Sequence, residues 1–119
     1  MDMTTLAILG SGIIVGIGAS FTGLGGGFLM VPLLLFLGFS SQKAVGTSIL
    51  GILFIALSSL FAHHKLANVD YKYGLLLGFG GVVGAQIGAR LVEQVPTETF
   101  KKMFALILLI LAIYLAVKK

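Results

Sequence analysis

Gly23-Leu24-Gly25-Gly26-Gly27-Phe28 sits in the middle of a stretch, Met3 to Gln42, that runs forty residues without a charged side chain. Glycine gives up more backbone freedom on ordering than any other residue, so this cluster breaks a helix. Inside a bilayer a broken helix bares N–H and C=O groups that hydrocarbon cannot satisfy. Such a break survives only where protein buries it or where it lines a polar cavity. The glycine knot is therefore the first candidate for a binding site.

Composition sets the class. Of 119 residues, 58% are hydrophobic and 10% charged, with a mean hydropathy of +1.12; a soluble domain carries roughly 25% charged residues. The charges collect between apolar stretches: Lys43; Lys65, Asp70 and Lys72; Arg90 to Lys102; Lys118 and Lys119. Between them lie Ala44–Ala62, Tyr73–Ala89 and Met103–Val117, each close to the ~20 residues that cross ~30 Å of hydrocarbon. The expectation is an all-α integral membrane protein of about four transmembrane helical regions, multi-pass in the cell membrane. The net charge of +4 is ordinary for membrane loops and implies no nucleic-acid partner. There is no cysteine, which excludes thiolate metal sites, thiol redox chemistry and disulfides.

The first stretch has no basic leader region and no clean small-residue cleavage site, and it is too long for a signal peptide. From Leu6 to Leu37 a continuous helix would measure about 48 Å, too much for one crossing and slightly short for two. Two arms, Leu6–Thr22 and Phe28–Phe39, meeting at the knot fit better than one long tilted helix. The second arm either crosses fully or turns back as a re-entrant half. Pro32 falls in its first turns, where a missing N–H costs little. No linker or low-complexity segment interrupts the chain, so residues 1–119 read as one transmembrane domain.

Small residues recur at helical spacing. Gly74, Gly78, Gly81, Ala85 and Gly88 form one row in the third region, and Gly80, Gly84 and Gly88 a second. Gly12, Gly16 and Ser20 do the same in the first arm. Such rows let helix backbones approach closely in lipid. The last region, Phe104 to Leu115, has no glycine and is expected to be the most lipid-exposed, with Tyr114 and the terminal lysines as interfacial anchors.

The knot has two readings, a tight helix crossing or an anion site. In the second, the amides of Gly25, Gly26, Gly27 and Phe28 open a half-helix whose positive end faces the membrane interior. Broken transporter helices hold anionic substrates in this way. No G-x-G-x-x-G spacing occurs and no Gly-Lys-Ser/Thr follows, so dinucleotide and P-loop readings fail. Thr47 and Ser48 either donate to an anion or bond a carbonyl one turn back. Gln86 is a costly amide unless paired. Arg90 either snorkels to the interface or supplies a substrate or gating charge. His63 and His64 cannot share one helix face and have no close acidic neighbour, so no metal site is expected. No nucleophile–base pair with an orienting acid occurs, and no enzyme activity or cofactor is expected.

Gly23-Leu24-Gly25-Gly26-Gly27-Phe28-Leu29-Met30-Val31-Pro32-Leu33-Leu34, then Ala44-Val45-Gly46-Thr47-Ser48-Ile49-Leu50, resembles the sulfite exporter TauE/SafE family of membrane anion permeases. Gly81-Val82-Val83-Gly84-Ala85-Gln86-Ile87-Gly88-Ala89-Arg90-Leu91 is similar to that family's glycine-rich third helix. The resemblance implies transport of small sulfur-containing or organic anions such as sulfite, sulfonates or sulfoacetate. Typical members are about twice this length, with a related glycine motif in each half, and this chain matches one half. The expected partners are a small anion, the lipid bilayer and a second copy, most simply in a homodimer. Substrate is expected at Thr22, Gly23, Gly25, Gly26, Gly27, Phe28, Thr47, Ser48, Gln86 and Arg90. The alternative is a non-transporting membrane subunit packed against a larger partner. A small multidrug exporter would want an acidic residue within the membrane, and Asp2, Asp70, Glu93 and Glu98 all fall in terminal or loop segments. Alternating spans put four Lys/Arg residues on each side of the membrane, so the positive-inside rule selects no orientation. Parallel and antiparallel dimers both remain open.

Overall fold

A computed structural model describes residues 2–118 as five helices: α1 Met3–Thr22, α2 Gly27–Phe36, α3 Ser41–Lys65, α4 Tyr71–Glu93 and α5 Thr97–Val117. α1, α3, α4 and α5 are long and apolar enough to cross a membrane. α2, with ten residues, is about 15 Å long, half the hydrocarbon thickness.

Local chemistry sets the helix ends. Asp2 caps α1 by accepting from the Thr5 amide at 2.8 Å. Hydrogen bonds from the Thr5 side chain and then its backbone hold the Asp2 carboxyl below its ordinary value. Ser40 accepts from the Lys43 amide to open α3, and Asp70 from the Tyr73 amide to open α4. Each supplies an acceptor to an N–H that the helix cannot satisfy. α2 closes on Gly38, whose φ of +98° favours glycine. There the Phe39 amide bonds the Leu34 carbonyl and the Gly38 amide bonds the Leu35 carbonyl, a Schellman closure. The second arm is therefore shorter than the expected Phe28–Phe39. Pro32 is its sixth residue, so the Phe28 carbonyl has no α-helical donor.

α3 is the hub and packs against each of the other four helices. Ser59 and His63, near its C-terminal end, bond Ser20 in the last turn of α1, so α1 and α3 finish on the same side. Gln42, at its start, donates to the Val92 and Val95 carbonyls at 2.8 Å each. The Ser41 amide donates to Thr97 Oγ1 at 3.0 Å. One membrane face therefore holds the start of α3, the end of α4 and the start of α5. The other holds the ends of α1 and α3 and, through a His64–Tyr71 hydrogen bond, the start of α4.

Among the described residues the buried side chains are Val15 and Ala19 of α1, Val31 of α2, and Ala44 and Ser48 of α3, together with Ser41, which bonds Thr97 of α5. α4 and α5 bury none. The small-residue rows differ from expectation within this chain. A Cβ on Gly12, Gly16, Gly74, Gly78, Gly80, Gly81, Gly84 or Gly88 would meet nothing within 4 Å. The close approach occurs elsewhere, at Gly18, Gly26 and Gly51, whose Cβ positions lie 3.2, 3.1 and 3.0 Å from Leu29, Val15 and Met30. α4 is thus as exposed as α5. At the C-terminal end, Lys118 Nζ stands 5.5 Å over the Tyr114 ring.

Candidate functional site

The chain between α1 and α2 turns through three glycines with positive φ: Gly23 at +78°, Gly25 at +78° and Gly26 at +86°. Side chains rarely adopt these angles, which explains the residue type. Thr22 supports the turn: its hydroxyl donates to the Gly18 carbonyl at 2.6 Å and accepts from the Leu24 amide at 3.3 Å. The Gly26 carbonyl then accepts from Leu29 and Met30, at 3.1 and 2.8 Å, and starts α2. Gly27 and Phe28, the first two residues of α2, thus bring amides to the helix start without an intrahelical acceptor.

The depth of this start matters. A Cβ on Gly27 would lie 3.4 Å from Ile52 Cδ1, and one on Gly25 would lie 3.7 Å from Ile52 Cγ2. Ile52 is the twelfth of the 25 residues of α3. α2 therefore begins about halfway along a membrane-length helix and runs back toward the start of α3. Its positive dipole end is inside the span.

On the far side of the knot is a groove of about 560 Å³ between the ends of α1 and α3 and the α3–α4 loop. Thr22, Gly23 and Gly25 line it together with Ser20, Ser59, His63, Asn68 and Asp70. Ser59 Oγ donates to Ser20 Oγ at 2.8 Å. His63 Nε2 lies 3.0 Å from the Ser20 carbonyl oxygen, and His63 Nδ1 lies 3.1 Å from Asn68 Nδ2. His64 faces away, toward Tyr71. Among the described residues no three His, Asp or Glu side chains gather as a metal set.

The sequence-derived residues divide accordingly. Thr22, Gly23 and Gly25 line the groove; Gly26 is buried at the knot, and Gly27 and Phe28 open α2. Ser48 is 2% exposed and donates to the Val45 carbonyl at 2.8 Å, while its neighbour Thr47 is exposed. Gln86 and Arg90 lie exposed on α4, outside the lining of the groove. Sequence reasoning did not select Ser59, His63 and Asn68, and it gave Ser20 a packing role. The Ser59–His63 spacing of four was the available signal, since it puts both side chains on one helix face.

The description of the family model that matches residues 8–119 is "Sulfite exporter TauE/SafE". The chain is 36% identical over 126 residues to the probable membrane transporter protein YunE of Bacillus subtilis, covering 99% of this chain and 45% of that one. It is 35% identical to a probable membrane transporter protein of Methanocaldococcus jannaschii, covering 88% and 42%. Against the probable membrane transporter protein YdhB of Bacillus subtilis it is 32% identical, covering 88% and 43%. The chain spans a little under half the length of these curated relatives. No solved structure matches it. With a family match over nearly its whole length and relatives above 30% identity, the chain belongs to the sulfite exporter TauE/SafE family.

Proposed function

We propose that this chain forms a membrane permease for small sulfur-containing or organic anions, such as sulfite, sulfonates or sulfoacetate. The observation that carries the reading is the depth of α2: a ten-residue helix starts at a glycine turn halfway along α3, beside a largely apolar groove that carries a few polar groups. Its first amides lack intrahelical partners, and its dipole favours negative charge at that end. A low-dielectric surrounding strengthens this attraction relative to water. Family membership and the relatives' names support a transport role.

The working unit in this reading is a homodimer. α4 and α5 leave whole faces uncovered, and in this reading a second copy covers them. The test is flux of radiolabelled sulfite, methanesulfonate or sulfoacetate into proteoliposomes containing monodisperse protein. Uptake above empty vesicles supports the permease. A folded protein that carries none of the three sinks it.

A further inference from the structure

We propose that the groove walled by Ser20, Ser59, His63 and Asn68 is an entry station for singly charged oxyanions, adjoining the glycine knot and selective against doubly charged ones. The proposal rests on the permease reading and adds to it a second site with its own chemistry.

Hydrogen-bond directions in the groove follow from its fixed groups. The Ser20 carbonyl can only accept, so His63 Nε2, 3.0 Å away, carries the proton. The Asn68 Nδ2 group can only donate, so His63 Nδ1, 3.1 Å away, is the acceptor. The Ser59 hydroxyl is spent on Ser20 Oγ at 2.8 Å, and the Thr22 hydroxyl on the Gly18 carbonyl at 2.6 Å. His63 Nε2 also lies 3.4 Å from Ser20 Oγ, but with its proton directed at the Ser20 carbonyl it cannot accept, so the Ser20 O–H has no acceptor among these groups. It is the free end of a donor chain, Ser59 to Ser20, at the wall of a groove large enough for a small ligand. A ligand that completes this chain must accept hydrogen bonds.

Among the anions that the permease reading supplies, the charges decide which one fits. No lysine or arginine lines the groove, and its one carboxylate is Asp70. Uncharged donors compensate one negative charge far more readily than two. The Asp70 charge repels a dianion twice as strongly as a monoanion at the same place. A sulfonate-type monoanion, with three acceptor oxygens and a single charge, suits these conditions; sulfate, of similar size and twice the charge, does not. Holding without a fixed cation also leaves the anion free to move on, as conduction requires.

The test measures methanesulfonate influx into proteoliposomes with sulfate as competitor. Ser20→Ala is expected to raise the methanesulfonate KM about tenfold, the loss of one donor to a charged ligand, with kcat retained. Ser59→Ala breaks the same interhelix bond but leaves the Ser20 hydroxyl, so its KM rises less; equal rises would mark a structural effect and overturn the site. Asp70→Asn keeps the cap on Tyr73 and removes the charge. It is expected to lower the sulfate inhibition constant about threefold more than it lowers the methanesulfonate KM. Normal methanesulfonate flux with an unchanged KM in Ser20→Ala overturns the entry station and leaves the permease standing. A wild-type protein that carries neither methanesulfonate nor sulfite overturns both.

Discussion

Gly26 is seated directly against Val15: a Cβ added to Gly26 would stand 3.1 Å from Val15 Cγ1, at a φ of +86°. Two independent costs therefore meet at this position, left-handed backbone strain of about 1–2 kcal/mol and overlap with the buried Val15 side chain. Gly25 carries the strain alone, since its nearest neighbour is Ile52 Cγ2 at 3.7 Å. Gly27 has neither the positive φ nor a severe contact. Alanine substitutions are expected to destabilise in the order Gly26, then Gly25, then Gly27, with Gly27→Ala within about 0.5 kcal/mol of wild type. Thermal unfolding in detergent gives the ranking, and a Gly26→Ala melting as wild type would refute the packed turn. This close contact also means that Gly26→Leu harms folding along with transport. Gly27→Leu is the cleaner probe of the amides, and it is expected to fold and lose flux.

The Gln42 amide joins α3 to the α4–α5 turn by donating to two carbonyls, those of Val92 and Val95. Gln42→Ala removes both bonds, and Gln42→Glu places an acceptor against acceptors. About 1–3 kcal/mol of destabilisation is expected for alanine and more for glutamate. Both should melt lower than wild type, with glutamate lowest; a glutamate variant as stable as wild type would show that the clamp does not form.

Arg90 lies exposed in the last turn of α4, where either basic side chain suits the helix dipole. Arg90→Lys is expected to keep wild-type flux. A loss of tenfold or more would instead indicate a bidentate anion contact that lysine cannot reproduce.

Spans and the helix break were legible because both rest on local rules: charges mark the ends of apolar stretches, and three adjacent glycines do not continue a helix. The residue level was harder for a physical reason. Ser20 and His63 are 43 positions apart, and a periodicity argument about α1 sees only a small residue in a packing row. Their meeting depends on α1 and α3 running parallel, which follows only once α2 is known to return half a span. The same three-dimensional fact moved the tight glycine contacts from the regular rows to Gly18, Gly26 and Gly51. Those contacts arise from neighbouring helices, whose positions a spacing of four does not encode.

The bare glycine face of α4 yields a test of the proposed dimer. Since a Cβ on Gly81 or Gly84 meets nothing within 4 Å in one chain, leucine at either position leaves the protomer fold intact. If a second copy packs on this face, leucine there obstructs it. Gly84→Leu is expected to melt near wild type as a protomer yet to lose the dimer in light scattering and crosslinking. A dimer of unchanged stability would move the interface to another helix.

Orientation follows from the pairing of helix ends. Gln42 with Val92 and Val95 puts Lys43, Arg90, Lys101 and Lys102 at one membrane face. His64 with Tyr71 puts Lys65 and Lys72 at the other. Lys118, at the end of α5, joins that second face, while Lys119 lies outside the described residues. The balance between faces is near even, and the positive-inside rule acts through the Lys/Arg difference. Both insertion orientations are therefore expected, so that a C-terminal tag reports from the cytoplasm in some molecules and from outside in others. Two added lysines beside Lys43 are expected to drive that face inward and collapse the mixture to one orientation. Paired cytoplasmic and external reporters measure this directly. An unaltered chain that transports while signalling from one side only would exclude an antiparallel dimer and leave the parallel pair, whose two-fold symmetry requires no dual insertion.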